Sequence, residues 1–344
     1  MKQQNNKYII GMDVGGTKLA TVVADGKGNI LQKIRKPTEA EKGVEHVIDK
    51  LFGMVHETLD LAELTLDDIL GIGVSFGGET DTKAGLVYPH LPGWEAYPLK
   101  DKIETEFNLP AIVENDANAG ALAEWMFGAG RGYDYVVYMT MGTGIGGGIV
   151  ADGKIYHGAN NSAGEVGHQI LLPDGPPCRC GKRGCLEALC SGPGIARRTQ
   201  EAIREEPNTL ILELAGGDIN AVKAEFVVEA AKKDDHLANR LIEETGFYMG
   251  WGITNLVNIV NPEVVVIGTI AVAAGDLLLN PIRETKVGRL RRRLWYRRRP
   301  TFESNQGNRK KISSMPRRRS RKNHAGSTWG FSGGFGSDCA CDSI

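Results

Sequence analysis

Three cysteines and a histidine make the most specific chemical pattern in this chain: Cys178-Arg179-Cys180-Gly181-Lys182-Arg183-Gly184-Cys185, with His168 ten residues upstream. Three thiolates and one imidazole form a closed tetrahedral set for zinc, and the intervening glycines permit the turns such a set requires. In small zinc modules the metal contributes folding free energy on the order of 10 kcal/mol, so it can rigidify a loose loop. Unliganded surface cysteines are the plain alternative, which the close spacing and the nearby histidine disfavour. Cys190 reads as a small apolar residue of a following helix. Two carboxylates flank the quartet, Glu165 within Ser162-Ala163-Gly164-Glu165-Val166-Gly167-His168 and Glu187 after Leu186. Either alone would pass for a solvated surface glutamate, but together beside a rigid loop they suit a ligand rich in hydroxyl donors.

Two glycine clusters suit phosphate. In Asp13-Val14-Gly15-Gly16-Thr17-Lys18 the glycines let backbone N–H groups approach phosphate oxygens, Thr17 and Lys18 can add donors, and Asp13 can hold Mg²⁺ through water. A glycine-rich hairpin turn with no ligand is the alternative. The spacing is not that of a Walker A loop. Gly142-Thr143-Gly144-Ile145-Gly146-Gly147-Gly148 contains a Gly-x-Gly-x-x-Gly string, yet a dinucleotide site needs a helix after it. The chain continues instead with Ile149-Val150, the turn Asp152-Gly153 and the strand-like Lys154-Ile155-Tyr156, so a second phosphate hairpin opposite the first fits better. Asn115-Asp116-Ala117-Asn118 falls at a strand-to-helix junction. A carboxylate there can accept the proton of an attacking alcohol in phosphoryl transfer, although an N-cap without other duty is the simpler reading.

The elements that must position these residues are legible in the periodicity. Tyr8 to Asp13, Leu19 to Val23 and Ile30 to Ile34 are short β runs joined by glycine turns, which predicts a meander. Val44, Val47, Ile48, Leu51, Phe52 and Val55 recur at helical spacing, Ile69 to Val74 returns to strand, and a helix around Leu99, Ile103 and Phe107 precedes the strand Ala111-Ile112-Val113. Beyond the second glycine cluster a mostly helical stretch from about 194 to 260 precedes a last strand, Val264 to Ile267. Strands and helices alternate across two halves, so the class is α/β, with an N-terminal α/β domain over 1–118 and a C-terminal one, bearing the cysteine loop, over 119–285.

From about Lys286 the text changes. Residues 283–344 hold 17 Lys/Arg against 4 Asp/Glu, so the whole-chain net charge of −1 is a poor guide to partners. The arginine triplets at 291–293, 297–299 and 317–319 lie among Ser, Gly and Asn without apolar content to offset ordering entropy, which predicts a disordered basic tail over 286–344. The abruptness suggests a change of reading frame. A basic arm for nucleic acid is the functional alternative, set aside because basics and aromatics form no recognisable module. No apolar stretch is long enough to cross a bilayer and no export pattern precedes Tyr8, so a cytoplasmic protein with no membrane or nucleic-acid partner is expected.

Taken together, the phosphate loops, Asn115-Asp116, the 142–168 stretch and Cys178 to Glu187 resemble the ROK family of bacterial glucokinases, other hexose kinases and sugar-responsive repressors, from about Tyr8 to Ile282. The resemblance implies the two-domain actin-like ATPase (ribonuclease H-like) fold, with MgATP and sugar meeting in a cleft, and a homodimer. It implies phosphorylation of a hexose 6-hydroxyl, glucose by default, with N-acetylmannosamine, N-acetylglucosamine or fructose as alternatives and a sugar-binding regulator without kinase activity as the rival of another class. On that pattern Asp116 is the catalytic base; Asn115, Glu165, His168, Glu187 and Gly78 contact sugar; Asp13, Gly15, Gly16, Thr17, Lys18, Gly142, Thr143, Gly144 and Gly268 hold the nucleotide; and His168, Cys178, Cys180 and Cys185 hold structural zinc. The repressors carry a winged helix-turn-helix ahead of the body, and none is expected here because the phosphate motif begins at Asp13. Three departures stand out: Glu79 replaces a usual proline, Gly268-Thr269-Ile270 keeps only the first of a run of glycines, and beyond about Lys286 the resemblance stops, with the Arg-rich tail in place of the helix expected to finish the second domain.

Overall fold

The meander forms as the pattern predicts. In the computed structural model, which describes residues 8–88, 96–285 and the backbone of 294–296, β1 (Tyr8–Val14), β2 (Lys18–Asp25) and β3 (Ile30–Pro37) pair antiparallel. Helix α1 (Val44–Leu61) returns the chain to β4 (Ile69–Phe76), parallel to β1, burying Val47, Ile48, Leu51, Met54 and Val55 on one face. A small hairpin that the periodicity does not announce, β5 (Glu79–Asp81) with β6 (Leu86–Tyr88), comes next, then α2 (Leu99–Phe107) and the edge strand β7 (Ala111–Asn115). The first sheet therefore has the order β3-β2-β1-β4-β7, with its own core built on Ile10, Leu19, Leu51, Val74, Leu99 and Ile103.

Helix α3 (Asp116–Phe127) leaves the end of β7 and lies against the second sheet, where Ala121 packs with Val136, Val150, Val264 and Val266. That sheet begins with another meander, β8 (Val136–Met139), β9 (Gly147–Ala151) and β10 (Lys154–Ile155). The helices α4 (Leu186–Cys190), α5 (Gly192–Glu205), α6 (Leu210–Leu214), α7 (Ala224–Ala231) and α8 (His236–Val260) intervene before β11 (Val264–Ile267), which is buried along its whole length as befits a central parallel strand. Helices α9 (Ile270–Ala274) and α10 (Asp276–Glu284) close the half, and β12 (Leu294–Tyr296) adds parallel to β11, giving β10-β9-β8-β11-β12.

Strand β12 corrects one expectation. Composition predicts no structure from Lys286 onward, but Leu294-Trp295-Tyr296 is an apolar, β-prone triplet between arginine runs and it extends the second sheet. The rest of that expectation lies outside the described residues. Among the described residues no helix is long and apolar enough to cross a membrane.

Candidate active site

The junction between β7 and α3 separates two jobs that the sequence leaves merged. Asn115 is the N-cap: its Oδ1 accepts from the backbone N of Ala117 at 2.9 Å and of Asn118 at 3.3 Å, while its Nδ2 donates to Gly78 O at 3.1 Å. Asp116 stands one position inside the helix, so the capping role considered for it falls to its neighbour and its carboxylate is left for other work. Solvent reaches Asp116 through the open cleft, yet protein walls it on most sides. That burial holds its pKa above the usual aspartate value, against a hydrogen bond from the Ala117 amide, and the nearby charges of Asp13 and Glu165 push the same way.

Both glycine loops reach the first turn of α3. A Cβ on Gly77 would stand 3.8 Å from Asp116 Oδ2 and from Gly15 Cα, and one on Gly146 would stand 3.1 Å from Ala117 Cβ. The first loop is a tight turn, with Gly15 N donating to Lys18 O at 3.1 Å and Thr38 bracing it through Oγ1 to Gly15 O at 2.6 Å. In the second, the apex of the β8–β9 hairpin, Gly142 N donates to Gly144 O at 2.9 Å. Among the described residues the amides of Gly16, Thr17, Thr143 and Gly144 donate to no protein acceptor, the arrangement an anion-binding loop needs. Asp13 is the last residue but one of β1 and accepts from Ser75 Oγ at 3.2 Å.

A cavity of about 680 Å³ opens beside Asp116, lined by Gly78, Asn115, Asn118, His157 and Glu165 among others. Thus Gly78, Asn115, Asp116 and Glu165 share one wall system. Glu187 and His168 do not line it. Glu187 turns towards the second glycine loop, where its Oε2 accepts from Ile145 N at 2.9 Å. His168 lies behind Glu165, Nε2 to Oε2 at 3.8 Å, with its Nδ1 3.6 Å from Cys178 Sγ. Gly268 follows β11 directly, its N donating to Met139 O at 2.8 Å, and the next residue, Thr269, adopts φ 57° and ψ −110°.

The cysteine loop gathers its four donors. The ligand atoms of His168, Cys178, Cys180 and Cys185 lie within 4.8 Å of one another, with Cys180 and Cys185 sulfurs 3.7 Å apart. Ligands about 2.0–2.3 Å from a tetrahedral zinc would be roughly 3.5–3.8 Å apart, so the residues present fit that ion. The turn depends on Gly184, at φ 65°, where a Cβ would fall 1.4 Å from Leu172 O.

Sequence reasoning missed Glu114, Asn118 and His157. Glu114 Oε1 accepts from Asn118 Nδ2 and from Asn115 N, both at 3.0 Å, and its Oε2 meets His157 Nε2 at 2.7 Å. The available signal was a lone carboxylate ending the apolar strand Ala111-Ile112-Val113.

Two α/β halves with matching mixed sheets, and facing glycine loops around one carboxylate, define the actin-like ATPase fold in its sugar-kinase form. The ROK family pattern matches residues 9–310, past the Ile282 limit read from the motifs, and the chain belongs to that family. It is 39% identical over 282 residues to a glucokinase of Halalkalibacterium halodurans, covering 81% of this chain and 85% of that protein. It is 31% identical over 278 residues to a xylose repressor of Caldicellulosiruptor bescii, covering 80% of this chain and 69% of the other. A crystal structure of a ROK family glucokinase from Streptomyces griseus, in complex with glucose and AMPPNP, superposes with a TM-score of 0.73 at 32% identity, covering 85% of this chain and 94% of that one.

Proposed function

We propose that this chain transfers the γ-phosphoryl group of MgATP to the 6-hydroxyl of glucose. The observation that carries the reading is Asp116, relieved of capping by Asn115 and set between both glycine loops on the wall of the cavity. Its carboxylate accepts the hydroxyl proton as the sugar oxygen attacks the γ-phosphorus; the new O–P bond forms while the bond to the β-phosphate oxygen breaks, releasing ADP. Asn115, Glu165 and Gly78 bind the sugar hydroxyls, and His168 and Glu187 support them from the cysteine loop. Asp13, Gly15, Gly16, Thr17 and Lys18 on one side, and Gly142, Thr143, Gly144 and Gly268 on the other, receive MgATP. The two halves, divided near residue 118, act as domains about this cleft, and the active form is a homodimer.

His168, Cys178, Cys180 and Cys185 would hold one zinc ion, whose role is structural: it stiffens the loop that carries Glu187 and backs Glu165. A panel of glucose, N-acetylmannosamine, N-acetylglucosamine and fructose, assayed with MgATP for ADP release, tests the reading. Glucose should give the highest kcat/KM. Sugar binding without ADP release from any of them would favour a regulatory protein, a reading supported by the similarity to the xylose repressor.

A further inference from the structure

Glu114 is a carboxylate only 11% exposed, one residue before the cap of α3, and its two oxygens serve different halves of the molecule. Oε1 takes the Asn115 amide and Asn118 Nδ2 at 3.0 Å each, with the Thr82 hydroxyl at 3.5 Å, which fixes it to the first turn of α3 and to the loop between β5 and β6. Because an ionised carboxylate only accepts, the amide nitrogen of Asn118 must be the atom that faces it. Oε2 is left for His157 Nε2 at 2.7 Å. His157 comes from the second sheet, just beyond β10, and begins the segment 157–165 that lines the cavity and ends on Glu165.

That segment has little structure of its own. Its internal ties include Ala163 N to His157 O at 3.1 Å and Ser162 Oγ to Asn160 O at 3.5 Å, and it contains Asn161 at φ 63°. Pinning His157 therefore pins the loop. The glutamate end cannot yield cheaply, since moving it would strip partners from a buried charge, so the loop must come to the helix.

We propose that Glu114 and His157 are positioning residues for sugar binding: a hydrogen-bonded latch that holds segment 157–165 against the first turn of α3 and thereby sets Glu165 relative to Asp116. The proposal rests on the hexose-kinase reading of the same cavity. Neither side chain takes part in the transfer step.

Steady-state kinetics with MgATP and glucose, alongside calorimetric glucose titration without nucleotide, tests it on His157→Ala, His157→Gln, Glu114→Gln and the double variant Glu114→Gln/His157→Ala. Loss of a charge-assisted hydrogen bond in His157→Ala should weaken glucose KM and Kd about 10- to 100-fold, while ATP KM stays within about 2-fold. Glutamine at 157 can still donate to Oε2 and should recover most of that loss. The double variant should bind glucose no more weakly than the worse single variant, as expected of one shared interaction. Unchanged glucose Kd in His157→Ala overturns the latch, and so does an equal loss for glucose and ATP or a failure of His157→Gln to recover. A wild-type protein that binds glucose but releases no ADP would defeat the kinase reading alone, because the Kd series still decides the latch. Should Glu114→Gln fail to fold, the two His157 variants decide it.

Discussion

In the first half, the sheet runs β3-β2-β1-β4-β7, an antiparallel meander followed by two parallel strands; in the second, β10-β9-β8-β11-β12 repeats that order. The correspondence extends to single bonds. Gly77 N, after the fourth strand, donates to Val14 O at 3.0 Å, and Gly268 N, after its counterpart, donates to Met139 O at 2.8 Å. One residue further on, the halves part. The first has Gly78, where a side chain would collide with the Phe76 ring at 2.9 Å, and the second has Thr269, a β-branched residue at positive φ whose Oγ1 accepts from Met141 N at 2.7 Å. The first half also ends its sheet on the helix that begins with Asp116, whereas the second inserts the cysteine loop and five helices between its third and fourth strands. Strand pairing fixes the shared frame, and the loops at the strand ends are free to diverge because they contribute little to it. Chemistry and strain both collect there.

The largest test of that division is the carboxylate that only the first half supplies. Asp116→Asn should lower kcat by about 10²–10⁴-fold and leave glucose Kd nearly unchanged. Its raised pKa also fixes two signs. As a base it must be ionised, so the acid limb of the kcat–pH profile should lie above the ordinary aspartate value of about 3.9. As a folded-state group with a raised pKa, its favourable contribution is present below the unfolded value and is lost as pH rises through the folded one. At neutral pH ionised Asp116 is thus a liability, and Asp116→Asn should melt no lower than wild type. A lower Tm at pH 7 and a higher one at pH 3 would contradict the assigned environment.

The device that only the second half carries should have a smaller effect. Elemental analysis should find one zinc per chain, and stripping it with a chelator, or replacing the exposed Cys180 by serine, should weaken glucose binding about 10- to 100-fold. A zinc-free preparation with unaltered glucose affinity would show that the loop holds its shape without metal.

The smallest expected effect concerns the turn at which the halves differ. Thr269→Val retains a β-branched residue at positive φ and removes the acceptor for Met141 N, and should cost about 1–3 kcal/mol in urea unfolding. Thr269→Gly loses the same hydrogen bond but relieves strain of about 1–3 kcal/mol, so it should be the more stable of the two. If valine proves equal to or better than glycine there, Thr269 is not strained.

Much of this was legible because local periodicity reports local structure. The meander of β1 to β3, helix α1 and strand β7 follow from alternation and 3.6-residue spacing, and the cysteine quartet from ligand types only 17 positions apart at most, His168 to Cys185. The failure at Leu294-Trp295-Tyr296 has the same root: three apolar residues among arginines are too few for a periodic signal, and β11 supplied the pairing that the segment could not announce. By itself the sequence determined residue types and their register along each element: which side chains face a core, where a turn can bend, and that thiolates and carboxylates cluster at 165–187. Only the tertiary structure decided that Asn115 rather than Asp116 caps α3, that Glu187 turns to the Ile145 amide, and that Glu114 meets His157 across 43 positions. Those outcomes depend on how elements far apart in sequence come together, and the distances between such elements are set by the packing of side chains from both, which no local period contains.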